Sequence, residues 1–153
     1  SVGLRYFNVF GRRQDPYGAY SAVIPRWLAA LFNGDNIKIY GDGLTSRDFC
    51  YIDNTVQLNL LAALTTQNKA FGEVFNCAYA DTTSLNDLLS TLTEIAQVKP
   101  KDPVEYLDFR PGDITHSFAN IDKSKRLLNY TPSHSLSEGL KETLQWYKNY
   151  FHH

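Results

Sequence analysis

The chain has 153 residues, enough for one domain with a modest core. Its 15 Lys and Arg stand against 16 Asp and Glu, a formal net charge of -1, so there is no electrostatic case for nucleic acid or an anionic membrane surface. No apolar run approaches the ~18 residues of a spanning helix, and no signal-peptide pattern opens the chain.

Aromatic residues make up 14% of the chain, with Tyr 10 and Phe 9, which suits a packed domain with a ring-lined pocket. There is no Met, and the opening Ser1-Val2-Gly3-Leu4-Arg5-Tyr6-Phe7 reads as mid-strand, so the chain reads as a fragment. Cys50 and Cys77 lie in apolar stretches without metal-ligand spacing and are expected to be buried free thiols, which fits a reducing cytoplasm.

Leu4 to Val9 reads as a strand, closed by Gly11 and a polar loop. Tyr20 to Phe32 is predicted helical, with Pro25 near its first turn and Asn33-Gly34 as its stop. Ile37 to Tyr40 and Arg47 to Ile52 are predicted short strands, separated by Gly41-Asp42-Gly43. Asp53 is expected to cap a helix over Asn54 to Leu64, with Val56, Leu60, Leu61 and Leu64 on one buried face. A strand follows over Glu73 to Ala78. Ser84-x-x-Asp87 resembles a capping box opening a helix to about Val98. Val104 to Phe109 is a predicted strand, Arg110-Pro111-Gly112-Asp113 a turn and Asp122 to Leu128 a short helix. Ser135-x-x-Glu138 is a second capping box. It opens a last helix over Leu136 to Tyr150, with Leu140, Leu144 and Tyr147 as its buried stripe. The fold class is α/β, a mixed arrangement of short strands and helices in one domain over 1–153.

Three segments carry candidate chemistry. A helix starting near Pro25 presents unpaired N–H groups, which suit a phosphate oxygen; an ordinary strand and loop is the plainer reading. In Tyr40 to Phe49 the glycines allow close backbone approach to a ligand, and Arg47 has the fork geometry for a diphosphate. A hairpin with a surface Arg is the alternative. In Phe109 to Asp113, an Arg and an Asp flank a rigid turn and suit a phosphate and a ribose diol; a local Arg–Asp pair is the alternative. No metal or nucleophile site emerges: His116 has no arguable Ser or Cys partner, and His152 and His153 read as solvated. The sequence has no G-x-G-x-x-G, and no Tyr is followed four positions later by Lys. No catalytic residue is therefore assigned to this chain.

Leu4-Arg5-Tyr6-Phe7-Asn8-Val9-Phe10-Gly11, Ala22-Val23-Ile24-Pro25, Gly43-x-x-Ser46-Arg47-Asp48-Phe49-x-Tyr51-Ile52-Asp53 and Arg110-Pro111-Gly112-Asp113 follow one another in an order that resembles a known family. It is the C-terminal half of extended short-chain dehydrogenase/reductase enzymes, of the UDP-hexose and UDP-N-acetylhexosamine 4-epimerase type. The resemblance covers essentially the whole chain and is shared in large part with nucleotide-sugar dehydratases, decarboxylases and reductases.

It implies a substrate-binding domain of a Rossmann-fold enzyme whose Rossmann core is mostly absent here, with residues 1–11 as a last Rossmann-sheet strand and its exit. It implies NAD as cofactor of the complete enzyme, a UDP-sugar substrate, a missing N-terminal half as partner, a homodimer and a cytoplasmic location. Residue by residue, Tyr6 resembles the position beside the nicotinamide and Asn8 the amide that holds the diphosphate. Gln14 resembles a position reaching toward the hexose, and Ala22 and Val23 the helix entry at phosphate and nucleoside. Lys38 and Tyr40 resemble the strand bordering uracil, Arg47 and Arg110 the diphosphate arginines, and Asp113 the ribose carboxylate. Ser117 matches the position beside the sugar's C2 substituent, where a small residue admits an N-acetyl group. The implied substrates are UDP-GlcNAc and UDP-GalNAc or their uronic acids. The readings left beside this one are a nucleotide-sugar 4,6-dehydratase or another enzyme of the superfamily, and a non-enzymatic nucleotide-sugar-binding module.

Overall fold

The structure, a computed structural model, describes residues 1–18 and 21–151, with Phe151 described in its backbone only. Tyr20, expected to open the first helix, and the terminal His152 and His153 lie outside the described residues.

The expected first strand is two strands. β1 spans Gly3–Tyr6 and β2 spans Val9–Phe10. Asn8 breaks them apart at φ 32, a left-handed backbone that Asn tolerates better than most residues, and its side-chain Nδ2 donates to the Asp48 carbonyl at 3.0 Å. Helix α1 (Val23–Asn33) follows, with Pro25 in its first turn and Gly34 closing it in the left-handed conformation at φ 74.

β3 is Lys38–Tyr40. The expected strand over Arg47 to Ile52 is likewise divided into β4 (Ser46–Arg47) and β5 (Cys50–Tyr51). The division has a cause at Asp48. Its carboxylate is fully buried and accepts backbone N–H groups from Tyr79 at 3.0 Å, Ala80 at 3.1 Å and Ala119 at 3.4 Å. A buried charge requires such donors, and the chain turns inward to meet them.

Helix α2 (Ile52–Leu64) begins ahead of the expected Asn54, with Tyr51 at its N-cap and no side-chain cap. Asp53 is therefore inside the first turn, where its carboxylate pairs with Arg12 at 3.1 Å instead of capping the helix. The expected buried stripe on α2 is also corrected. Leu58 is fully buried, whereas Val56, Leu60 and Leu64 are 48%, 57% and 77% exposed. The buried face is partly polar: Asn54 accepts from the Ser133 and His134 N–H groups and donates to the His134 carbonyl.

A short 3-10 turn leads to β6 (Val74–Cys77) and β7 (Thr83–Ser84). Helix α3 (Leu85–Ala96) is capped as read: the Ser84 hydroxyl accepts from the Asp87 N–H at 3.0 Å. β8 (Glu105–Leu107) and α4 (Asp122–Leu128) follow, and α5 (Leu136–Phe151) opens on the expected box, with Glu138 accepting from the Ser135 N–H and hydroxyl. Its expected stripe, Leu140, Leu144 and Tyr147, is buried.

Among the described residues the strands form four two-stranded pairs: β1–β6, β2–β5 and β3–β8 parallel, and β4–β7 antiparallel. Parallel partners need long crossovers, so residues far apart in sequence meet at each pair. Two cores result. One lies among α1, α3 and α5 around Trp27, Leu28, Ile39, Leu88, Leu140 and Tyr147. The other, around Phe75, Cys77, Leu58, Ile121 and Tyr130, lies among β1, β6, α2 and α4. Cys50 and Cys77 are free and buried, as expected. No helix among the described residues is long and apolar enough to cross a membrane.

Candidate functional site

A cavity of about 320 Å³ opens where β2, the start of α1, β3, β4 and the loop after β8 meet. Its size falls within the range of small-molecule sites. Asn8, Val9 and Phe10 form one flank, Ser21 to Ile24 the floor, Lys38 to Tyr40 a second wall, and Arg47, Arg110 and Asp113 the rim.

α1 enters this cavity end-on. Its N-cap is Ala22, which has no capping side chain, and its first turn holds no acidic residue. The N–H groups of a first turn have no partner within the helix, so this end is a donor set and a site of partial positive charge.

Arg47 is held in place. One guanidinium nitrogen donates to the Ser46 carbonyl at 2.9 Å and to the Thr115 carbonyl at 3.2 Å, and the other lies 3.5 Å from the Asp113 carboxylate. Asp113 thus pairs with Arg47, not with the Arg110 that shares its turn. Arg110 instead stacks on the Tyr40 ring, 3.6 Å from the centroid. The hydrogen bond and charge of Arg110 lower the Tyr40 phenol below its usual range, with smaller contributions from Arg26 and Lys38. Lys38 pairs with Glu105 across the β3–β8 register at 3.5 Å.

Of the residues singled out in the sequence, Asn8, Ala22, Val23, Lys38, Tyr40, Arg47, Arg110 and Asp113 line this cavity, and Tyr6, Gln14 and Ser117 are not among its lining residues. Tyr6 ends β1 with its ring half exposed and its hydroxyl donating to Asn59 at 3.0 Å. Gln14 donates to the Val9 carbonyl at 3.4 Å, accepts from the Tyr147 hydroxyl at its own carbonyl, and keeps Oε1 buried without a partner among the described residues. Ser117 donates its N–H to the Ser46 carbonyl at 3.0 Å, one residue from Arg47.

Two readings are corrected. The glycines of the 41–43 turn do not open the backbone to a ligand. A Cβ on Gly41 would come within 2.3 Å of the Phe109 ring, and one on Gly43 within 2.0 Å of Asn86, so packing already fills the space. His116 does have a serine partner: Ser46 Oγ lies 2.9 Å from its Nδ1 across an isolated bridge between residues 46 and 116. That pair is 70 residues apart, outside any local spacing rule.

Sequence reasoning missed Ser21, Arg26, Asn36, Thr45 and the core aromatics Trp27 and Phe49 in the cavity wall. Arg26 had an available signal: it follows Pro25 in the first turn of a helix already assigned to phosphate.

Residues 1–78 match the NAD dependent epimerase/dehydratase family, and residues 77–109 also match the Dpy-30 motif, a stretch that takes in β7, α3 and β8. A UDP-N-acetyl-alpha-D-glucosaminuronate decarboxylase of Bacillus cytotoxicus is 29% identical over 95% of this chain and 45% of its own. A crystallised UDP-N-acetylglucosamine 4-epimerase of Methanobrevibacter ruminantium, in complex with UDP-N-acetylmuramic acid, is 38% identical with a TM-score of 0.88, covering 97% of this chain and 46% of that one. A UDP-glucuronic acid 4-epimerase of Bacillus cereus, solved with UDP-glucuronic acid and NAD, is 32% identical with a TM-score of 0.85, covering 97% of this chain and 45% of that one. The chain spans less than half the length of the relatives it matches. With its mixed α/β fold superposing on these enzymes and the family model matching just over half of it, the chain belongs to the NAD dependent epimerase/dehydratase family.

Proposed function

We propose that this chain is the nucleotide-sugar-binding part, in one domain over 1–153, of an NAD-dependent UDP-N-acetylhexosamine 4-epimerase. The observation that carries the reading is the cavity at the start of α1, where a helix N-terminus, Arg47 and Arg110 surround one space with Asp113 at its rim. Two arginines and a dipole suit a diphosphate, and a carboxylate suits both hydroxyls of a ribose. Asn8 adds an amide on the opposite flank, and Lys38 and Tyr40 add a strand edge and a ring for the base. Gln14 and Ser117 are the sugar-end residues. On this reading the small Ser117 side chain is what admits a C2 N-acetyl group; its N–H donates to the carbonyl of Ser46, beside Arg47.

NAD is the family's cofactor, and it would supply hydride transfer at the sugar C4. The residues of this chain do not fit its diphosphate, because no glycine-rich strand-to-helix turn is present; Tyr6 alone is assigned to it, beside the nicotinamide. This chain's share is binding and orientation of the substrate. The acid/base pair and the dinucleotide site belong to the N-terminal half. The exposed Val56, Leu60 and Leu64 face of α2, the edge of β1 left unpaired among the described residues, and the exposed Tyr6 and Phe71 are the surface that half would cover. The complete enzyme is read as a homodimer of the cytoplasm, where two buried free thiols persist.

The test is ligand-observed NMR of the chain with UDP-GlcNAc. Saturation of both uracil and acetyl-methyl protons is expected, and saturation of neither would overturn the reading for this chain. A decarboxylase is the second reading, favoured by the similarity to the Bacillus cytotoxicus enzyme. The product of the complete enzyme separates the two, since only decarboxylation releases carbon dioxide.

A further inference from the structure

Among the described residues the buried polar and charged side chains are Thr45, Asp48, Asn54, Thr55, Ser124 and Thr143. All but Thr45 have partners. Asp48 takes backbone N–H groups from Tyr79, Ala80 and Ala119, and Asn54 ties down the loop at Ser133 and His134. Thr55 meets the Cys50 thiol at 3.6 Å, Ser124 donates to the Asn76 carbonyl at 2.8 Å and Thr143 to the Gly139 carbonyl at 2.7 Å. Thr45 is only 6% exposed, and its hydroxyl makes no hydrogen bond with another described residue.

A buried hydroxyl without a partner lowers the stability of a fold, so native chains keep few of them. The unpartnered side-chain oxygens sealed from solvent are those of Gln14 and Gln57; the Thr45 hydroxyl is not one of them. What little of it is accessible opens onto the cavity that Thr45 lines.

The local backbone gives this hydroxyl its direction. Thr45 immediately precedes β4. On one side the Ser46 N–H donates to the Thr115 carbonyl and the Ser46 carbonyl accepts from Ser117, each at 3.0 Å. On the other side the Thr45 carbonyl accepts from the Leu85 N–H, also at 3.0 Å. Alternate side chains of an extended segment share a face, so Thr45 and Arg47 turn to the cavity and Ser46 turns away. The lining agrees: it holds Thr45 and Arg47 and not Ser46. About 6.6 Å of extended chain separates the two, at roughly 3.3 Å per residue.

The surroundings of the hydroxyl are cationic. Arg47 shares its face, Arg110 stands at the same rim, and the first turn of α1 has no acidic residue. In such a field a hydroxyl donates best to an anionic oxygen. Arg47 already gives N–H groups to the Ser46 and Thr115 carbonyls and pairs with Asp113, so a phosphoryl group that it holds keeps oxygens for a further donor.

We propose that Thr45 is a further ligand-binding residue of this cavity, whose hydroxyl donates to an anionic oxygen of the phosphate held by Arg47. The residue is kept for the ligand and not for the fold. This rests on the nucleoside-diphosphate reading given above and assigns a position that reading leaves open. Every residue lining the cavity belongs to this chain, so the full 153-residue chain is the test object.

The experiment is calorimetric titration of UDP into the chain and its T45V and T45S variants. It is paired with a thermal melt of each without ligand, and with phosphorus and proton NMR at saturating UDP. T45V keeps the branched shape and removes only the hydroxyl. It is expected to weaken UDP by roughly 10-fold, the scale of one hydrogen bond to a charged group. Its melt is expected at or above that of the wild type, because the hydroxyl has no protein partner to lose. A phosphorus resonance of bound UDP is expected to shift in T45V, with the uracil protons unmoved. T45S, which restores the hydroxyl, is expected to bind within about 3-fold of the wild type. UDP binding by T45V equal to that of the wild type would overturn the proposal and leave the nucleotide reading standing. Shifted uracil protons with unmoved phosphorus would overturn it by assigning the hydroxyl to the nucleoside. A T45V melt below the wild type would overturn it by showing a role in the fold. Failure of the wild type to bind UDP would overturn both readings.

Discussion

The Arg110–Tyr40 contact is where individual residues show how the cavity is tuned. Arg110 stacks on the ring and lowers the phenol, so R110A is expected to raise the Tyr40 titration midpoint, read as tyrosinate absorbance against pH. A midpoint that stays put would mean that Arg26 and Lys38 dominate the ring's field. Asp48 is a second residue with a defined task. It holds three backbone N–H groups from two loops while its own carbonyl takes the Asn8 amide. Asp48→Asn turns one acceptor into a donor facing donors, with an expected loss of about 1–3 kcal/mol in a denaturant melt. Burial pushes the Asp48 carboxyl above the usual carboxylate range despite these bonds. The folded chain therefore holds that proton more tightly than the unfolded chain. The Asp48 contribution to stability falls as pH rises from about 3.9 through its raised value and is level above that.

Among the elements, α5 and α2 make opposite cases. The α5 box is legible because it is local: Ser135 and Glu138 lie three residues apart and meet by helical geometry alone. The Ser135 hydroxyl and N–H hold the Glu138 carboxyl below the usual glutamate range. Its contribution is thus present above about pH 4.3 and is lost as pH falls through the depressed value. Amide exchange in the first turn of α5 is expected to quicken on acidification in the wild type and to be independent of pH in Glu138→Gln, after correction for intrinsic exchange. On α2, an apolar periodicity is present on two faces, and the sequence does not distinguish the one this chain buries. Leu58 is buried with Asn54 and Thr55, because Asn54 ties down the loop at Ser133 and His134. Leu60→Ser on the exposed face is expected to change the stability of this chain by no more than about 0.5 kcal/mol, measured by denaturant melt.

At the scale of the molecule, β1 pairs on one edge only among the described residues, and the exposed Val56, Leu60 and Leu64 lie on the helix that packs with that β1–β6 pair. A parallel sheet with an open edge and an uncovered apolar helix face favours association. Sedimentation of the chain at rising concentration is expected to show self-association, and Leu60→Lys to suppress it. A monomer at every concentration would show that the open edge is not an adhesive surface.

Much of the site is legible in the sequence because its donors lie in short ordered motifs. The helix entry at Ala22-Val23, the Arg47 segment and the Arg110 to Asp113 turn all line one cavity, and two arginines, a carboxylate and a helix N-terminus are the donor and acceptor set that the proposed nucleoside diphosphate calls for. The sequence by itself determined the family, the α/β class, both capping boxes and most of the residues that line this cavity, since each is carried by short ordered motifs. Only the tertiary structure decided that Asp113 pairs with Arg47, that Arg110 rests on Tyr40, that Ser46 meets His116, that Phe109 and Asn86 fill the space over two glycines, and that Arg26 and Asn36 join the cavity wall. The physical reason is long-range pairing. β3 meets β8, β4 meets β7 and residue 46 bridges residue 116 across long stretches of chain, so the contacts they create have no spacing that a sequence pattern could record.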